Sequence, residues 1–149
     1  MSPQRTLGNE LRKLVVTRIE RTLKGIEETL QRILENQEIS LDDLKEDIKS
    51  LEERFNILSQ KWNLEILYTL FLRNISSFNE LKRILGVNSR TLSDKLKSLK
   101  RHGYIERTVR TESPLRVEYI LTARGKNTVL LALPLLYYSS KVPFTSSSI

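Results

Sequence analysis

The sequence predicts a mainly α-helical chain carrying one small β-hairpin, and three observations predict it. Apolar residues recur at steps of three and four through most of the first hundred positions, the signature of amphipathic helices. Two short alternating runs, Ile105 to Val109 and Val117 to Leu121, flank the turn-forming stretch TESPL, the signature of a hairpin. Helix-capping residues and glycines fall at the boundaries those patterns require.

The chain begins with about eight residues predicted to fray. Leu11, Leu14, Val15, Ile19, Leu23, Ile26, Leu30, Ile33 and Leu34 then describe one long amphipathic helix ending near Asn36, with Gly25 marking a kink or a close helix contact. Ser40 and Asp43 resemble a capping box for a second helix. Its apolar positions Leu41, Leu44, Ile48, Leu51, Phe55 and Leu58 alternate by four and three, as in a coiled-coil seam. Neither helix can bury its stripe alone. The two must fold back as a hairpin, pair with a second subunit, or both, and a dimerising arm over residues 1–58 is the favoured expectation.

From Trp62 the apolar residues become denser, and Trp62, Leu64, Ile66, Leu67, Leu70, Phe71 and Leu72 predict a buried helix with Trp62 in the core. Ser77 and Glu80 form a capping box ahead of a short helix that Gly86 can terminate in a left-handed conformation. Asn88 then caps a further helix, in which Leu92, Leu96 and Leu99 share one face. At about 100° per residue, Arg90, Asp94, Lys97 and Arg101 point the other way with Ser93 at the edge. Two helices joined by a tight glycine turn, the second carrying an exposed basic stripe, are a helix-turn-helix. Gly103 ends that helix, and His102 suits a helix C-terminus, where imidazole meets the dipole. The hairpin that follows is a wing, with Arg107, Arg110 and Arg116 on its arms and Pro114 in its tip. The fold class is therefore a winged helix-turn-helix over residues 59–138, preceded by a two-helix coiled-coil-like arm.

After Thr122 a last helix runs from Ala123 to Leu133, where Pro134 should kink or end it. Val129 to Tyr138 is too apolar to face water and needs a partner, most simply the dimer interface. The run is far short of the roughly 20 residues a membrane span requires, and the N-terminus lacks the apolar core of a secretory signal. No membrane association is expected, and the cytoplasm is the expected compartment. Residues 139–149, ending SSSI, are expected to be a disordered tail.

Charge separates the two parts. The 149 residues carry a formal +7, but residues 1–60 hold 10 Lys/Arg against 12 Asp/Glu (−2) whereas residues 61–149 hold 15 against 6 (+9). A concentrated positive field attracts polyanions, so double-stranded DNA is the expected partner of the second part. On that reading Arg90, Ser93, Asp94 and Lys97 lie in the major groove, with Ser89 and Thr91 near phosphates at the helix start and Arg101 further along the stripe. Arg107, Arg110 and Arg116 serve the wing. Asp94 is awkward near phosphates unless it accepts from a cytosine amino group. With no cysteine, one histidine, no glycine-rich phosphate loop and no clustered carboxylates in the basic part, neither an enzyme nor a metal or cofactor site is expected. A protein-interaction adaptor is the alternative, since winged helices also serve that role.

The stretches KWNLEILYTL, SSFNELKRI, TLSDKLKSLKRHGYIER and PLRVEYILTARGK resemble the HxlR-type winged helix-turn-helix regulators, within the wider MarR/ArsR-like superfamily, over approximately Ser59 to Tyr138. RVEYxLT after the wing is the most distinctive segment. The resemblance implies a homodimer that binds an inverted-repeat operator in its own or a neighbouring promoter, usually as a repressor, with terminal helices making the dimer contact. Two features depart from the family. Members that sense electrophiles or oxidants use a cysteine, which this chain lacks, so thiol sensing does not carry over and the effector is unknown. The arm of residues 1–58 is also longer than the family's usual N-terminal helix, which leaves the dimer geometry open.

Overall fold

The structure, a computed structural model, describes residues 7–36, 40–111 and 114–139. Most of the expected frayed start (residues 1–6) and of the expected disordered tail (residues 140–149) lies outside the described residues, as do Glu112 and Ser113 of the hairpin turn; the described residues of those stretches, Leu7, Gly8 and Ser139, are helical. By packing, the chain forms two compact units, Met1–Glu46 with Leu131–Ile149, and Asp47–Leu130.

The first unit contains α1 (Leu7–Leu14), a single π-helical turn (Val15–Ile19) and α2 (Glu20–Asn36), so the uninterrupted first helix expected from periodicity is broken at residues 15–19. A π turn forms where an extra residue is accommodated in the helical ladder. Here it begins at a pair of β-branched valines, and the Thr17 hydroxyl in the same turn donates to the Lys13 carbonyl at 2.6 Å. Gly25 is neither kink nor contact: α2 continues through it, and a Cβ there would meet open space. The stripe of α2 is exposed, with Leu23, Ile26, Leu30 and Leu34 each about half accessible.

Helix α3 (Leu41–Ser59) starts where Ser40 accepts a hydrogen bond from the Asp43 backbone N–H at 3.1 Å. Of its expected seam only Leu58 is buried; Leu41, Leu44, Ile48, Leu51 and Phe55 remain exposed. The side-chain amide of Asn63, itself buried, donates to the Ile57 carbonyl at 2.6 Å and ties the end of α3 to the start of α4 (Asn63–Arg73).

The second unit is built around α4, whose Ile66, Leu67 and Leu70 are fully buried. Leu72, expected in the same core, is 79% exposed, because two residues beyond Leu70 is about 200° around the helix. Trp62 is also not core: it precedes α4 in a left-handed conformation (φ 77°), half-buried, with the Lys61 ammonium 5.1 Å from its ring centroid. A chain reversal rather than a helix turn sets its direction.

Three strands close the unit: β1 (Ile75–Ser77), β2 (Ile105–Arg110) and β3 (Arg116–Leu121), antiparallel in the order β1-β3-β2. The hairpin β2–β3 is the expected wing. β1 was not expected, because three residues are too few to show alternation; Ser76 pairs with Tyr119. Helix α5 (Phe78–Leu85) follows, then α6 (Ser89–Arg101), and the mainly α winged helix-turn-helix is complete. α5 is capped by Ser77, whose hydroxyl accepts from the Glu80 N–H at 3.2 Å, and ended by Gly86 at φ 65°.

Helix α7 (Ala123–Ser139) is capped by Thr122, whose hydroxyl accepts from the Gly125 N–H at 3.0 Å and donates to the Gly103 carbonyl at 2.6 Å. Pro134 does not end it: the helix continues to Ser139, since one missing N–H removes a single ladder bond. Beyond the buried Val129 and Tyr137, its Leu131, Leu135 and Leu136 are exposed.

Candidate nucleic-acid interface

Helix α6 is built to show one face. Its first turn is fixed by Asn88, which accepts from the Thr91 N–H at 2.8 Å, satisfying a donor the helix cannot. Leu92, Leu96 and Leu99 are buried at 2% exposure or less and lock the helix against the core. At the C-terminal end the His102 ring nitrogen Nδ1 lies 2.7 Å from the Ser98 carbonyl, the helix-end role expected of this histidine. Gly103 then adopts φ 81°, and the Tyr104 N–H reaches back to the Leu99 carbonyl at 3.0 Å.

The opposite face carries the predicted residues. Ser89, Arg90, Asp94, Lys97 and Arg101 are exposed, and Thr91 and Ser93 are half-buried at its margin. Between α5, α6 and the wing lies an open groove of about 980 Å³. It brings together Ser93 and Lys97 from α6 with Arg107 and Arg116 from the wing, and adds two cations that sequence analysis did not single out, Arg83 of α5 and Lys100 of α6. Five cationic side chains thus share one groove. Arg90, Ser89, Thr91, Asp94 and Arg101 do not line it. The signal for Lys100 was present, since it sits about 60° from Lys97 on the helical wheel. Arg83 had none, because its place depends on how α5 meets the wing.

The only carboxylate lining the groove among the described residues, Glu80, is committed locally. Burial would raise its pKa, but the Ser77 hydroxyl, the Arg73 guanidinium at 3.0 Å and the Ser77 backbone together hold it below the ordinary carboxylate range. It stays ionised with its charge offset by Arg73.

The three wing arginines are not equivalent. Residues paired across an antiparallel ladder share a face, and faces alternate along each strand. Arg107 pairs with Tyr119, on the face of Val109, Val117, Ile105 and Leu121. Arg110 pairs with Arg116 on the other face, together with Thr108 and Glu118. There the Arg110 Nε lies 3.2 Å from Oε2 of Glu118, a carboxylate that is 7% exposed. The pair is close but not aligned as a hydrogen bond, so it is an ion contact that draws Arg110 toward the sheet. Lys97, Arg107 and Arg116 form no ion pair among the described residues.

The last positioning element is the junction of wing and α7. The Thr122 N–H donates to the Tyr104 carbonyl at 3.1 Å, and Arg124 stacks 5.3 Å from the Tyr104 ring centroid. A Cβ on Gly125 would land on that same carbonyl oxygen. Glycine is required here by close approach, which gives the TARG stretch a physical reason.

Among the described residues no group of His, Cys, Asp and Glu could hold a metal ion, and no helix is long and apolar enough to cross a membrane.

Comparisons agree with this geometry. Residues 57–138 match the model of the HxlR-like helix-turn-helix family. A helix-turn-helix transcriptional regulator of Synechocystis (sll1512) is 40% identical over 65 residues, 44% of this chain and 48% of that protein. The regulator YdzF of Bacillus subtilis is 37% identical over 67 residues, 44% of this chain and 62% of its own length. The chain therefore spans about half to three-fifths of the curated relatives it matches. Among solved structures, a transcriptional regulator assigned to the MarR family from Enterococcus faecalis superposes with TM-score 0.54 at 32% identity, covering 61% of this chain and 82% of the other. The reduced form of the B. subtilis regulator YodB superposes with TM-score 0.58 at 23% identity, covering 66% and 96%, a likeness of fold. These relatives are named as transcriptional regulators. With the match extending over more than half the chain and the winged helix-turn-helix present, the protein belongs to the HxlR-like helix-turn-helix family.

Proposed function

We propose that the protein is a sequence-specific, double-stranded-DNA-binding transcription regulator of the cytoplasm, acting as a homodimeric repressor on an inverted-repeat operator. The observation that carries this reading is the groove in which Lys97 and Lys100 of α6 meet Arg83, Arg107 and Arg116. Cations gathered in one groove beside an exposed capped helix suit a duplex, whose phosphates flank the base edges the helix reads.

In the proposed complex Arg90, Ser93, Asp94 and Lys97 face the major groove, Ser89 and Thr91 approach phosphates at the start of α6, and Arg101 approaches them further along. Arg107 and Arg116 contact the backbone from the wing, with Arg110 contributing less because Glu118 holds it. Residues 59–138 act as the DNA-binding domain, residues 1–58 as the dimerising arm and residues 139–149 as a tail. Homodimerisation through the arm and the C-terminal helix is supported by their exposed leucines and isoleucines. With no cysteine, the effector acts by chemistry other than thiol oxidation.

A salt titration on duplex DNA tests the reading. Affinity that falls steeply with salt supports it. No duplex binding at low salt would refute it and leave an interaction adaptor.

A further inference from the structure

The charges along α3 specify how two copies meet, an inference that rests on the homodimer reading. Leu44, Ile48, Leu51 and Phe55 occupy alternating a and d positions and are 36% to 63% exposed. Leu58 continues the series but is buried in its own chain, so it closes the available seam. The positions flanking the seam carry both signs: Lys45 and Glu52 on one side, Asp47 and Arg54 on the other. All four are exposed, and none is ion-paired within its own chain among the described residues.

We propose that α3 pairs antiparallel with α3 of a second copy, Ile48 facing Leu51 of the partner subunit. In that register Leu44 faces Phe55 of the partner subunit, and two-fold symmetry repeats both layers. Antiparallel helices bring like heptad positions together across the seam. Lys45 then meets Glu52 of the partner subunit, Asp47 meets Arg54 of the partner subunit, and symmetry doubles each pair. Every flanking contact is attractive. A parallel pair would instead set Asp47 against Glu52 of the partner subunit on both sides, so the charge pattern selects one orientation.

The consequence for DNA is spatial. Leu58, where the chain enters the winged-helix domain, falls 17 positions from its counterpart along the shared axis. At 1.5 Å per residue that is about 26 Å. The two domains are delivered to opposite ends of the pair, at a separation on the order of the roughly 34 Å between half-sites one duplex turn apart.

Because the chain has no cysteine, single cysteines can be placed on the full-length protein for spin labelling. Asp42→Cys, Lys49→Cys and Asn56→Cys lie on the same exposed flank, one heptad apart. Dipolar distances should be shortest at residue 49 and lengthen toward both ends, with axial offsets of about 22 Å at residue 42 and about 20 Å at residue 56. Equal distances at all three sites would mean a parallel pair and overturn the proposal while leaving the dimer intact. No coupling at residue 49 in a protein of dimeric mass would overturn it in favour of another dimer surface, and a monomeric mass would remove the dimer as well. Glu52→Lys gives an independent sign. It should weaken the dimer roughly tenfold in the antiparallel pair by turning attraction to repulsion at two symmetric sites. Tightening, as a parallel pair requires, would contradict the proposal.

Discussion

Replacing Arg107 and Arg110 separately by alanine should have unequal effects on DNA binding, although both are exposed arginines of the same wing strand, three positions apart. Arg107 lines the groove beside Lys97 and makes no ion pair among the described residues. Arg110 lies 3.2 Å from the buried Glu118 carboxylate, so part of its charge is already offset. Each phosphate contact contributes about −0.9 to the slope of log affinity against log salt. A dimer using Arg107 in both subunits therefore loses about 1.8 from its slope in the Arg107→Ala variant. Across a fourfold rise from roughly 50 to 200 mM salt, those two contacts account for about a twelvefold difference in affinity. Arg110→Ala should change the slope by well under half as much, a reduction rather than an abolition because that side chain remains 61% exposed. Fluorescence anisotropy of a labelled duplex, titrated at four salt concentrations, measures both. An unchanged slope for Arg107→Ala, or a larger change for Arg110→Ala, would refute the assignment of Arg107, ahead of Arg110, to the DNA backbone.

Other substitutions test other parts of the account. Arg90→Ala should weaken binding to the preferred duplex by about 1–3 kcal/mol while leaving random duplex nearly unaffected, measured by competition with unlabelled DNA. Gly125→Ala should destabilise the fold by about 1–3 kcal/mol, because its methyl group collides with the Tyr104 carbonyl and presses on Leu121; Gly25→Ala, in open helix, should stabilise by about 0.5–1 kcal/mol, and thermal melts compare the two. Glu80 is held below its ordinary pKa, so its contribution is present above the unfolded-state value and is lost as pH falls through the folded one. Glu80→Gln should accordingly remove that part of the decline in melting temperature on acidification, and an acid limb identical to wild type would contradict it.

Which features were legible in the sequence follows from the range of the interactions involved. The helix-turn-helix was legible because its signals are local: the Ser77 and Asn88 caps each act within three residues, and Gly86 and Gly103 both adopt the left-handed backbone their positions call for. The burial of Leu92, Leu96 and Leu99 follows from a period that only one helix face can satisfy. What failed depended on neighbours distant in sequence or on backbone reversals. Trp62 is turned aside by its positive φ, and Leu72 is apolar without being on the buried face. β1 exists because β3 has an edge to pair with, and three residues cannot announce that. The π turn at residues 15–19 shifts the stripe of the arm in a way an ideal 3.6-residue period does not anticipate. In the interface, the stripe on α6 was visible from a helical wheel. The division of the wing between Arg107 on one face and the Arg110–Glu118 pair on the other emerges only from the register of β2 on β3.

Selection of bound fragments from a pool of random duplex DNA by the full-length protein tests the central claim most directly. The account predicts enrichment of a two-fold symmetric site, with half-sites about one helical turn apart, and loss of that enrichment in Arg90→Ala. Recovery of no preferred sequence, by a protein that also fails to retain duplex at low salt, would contradict it.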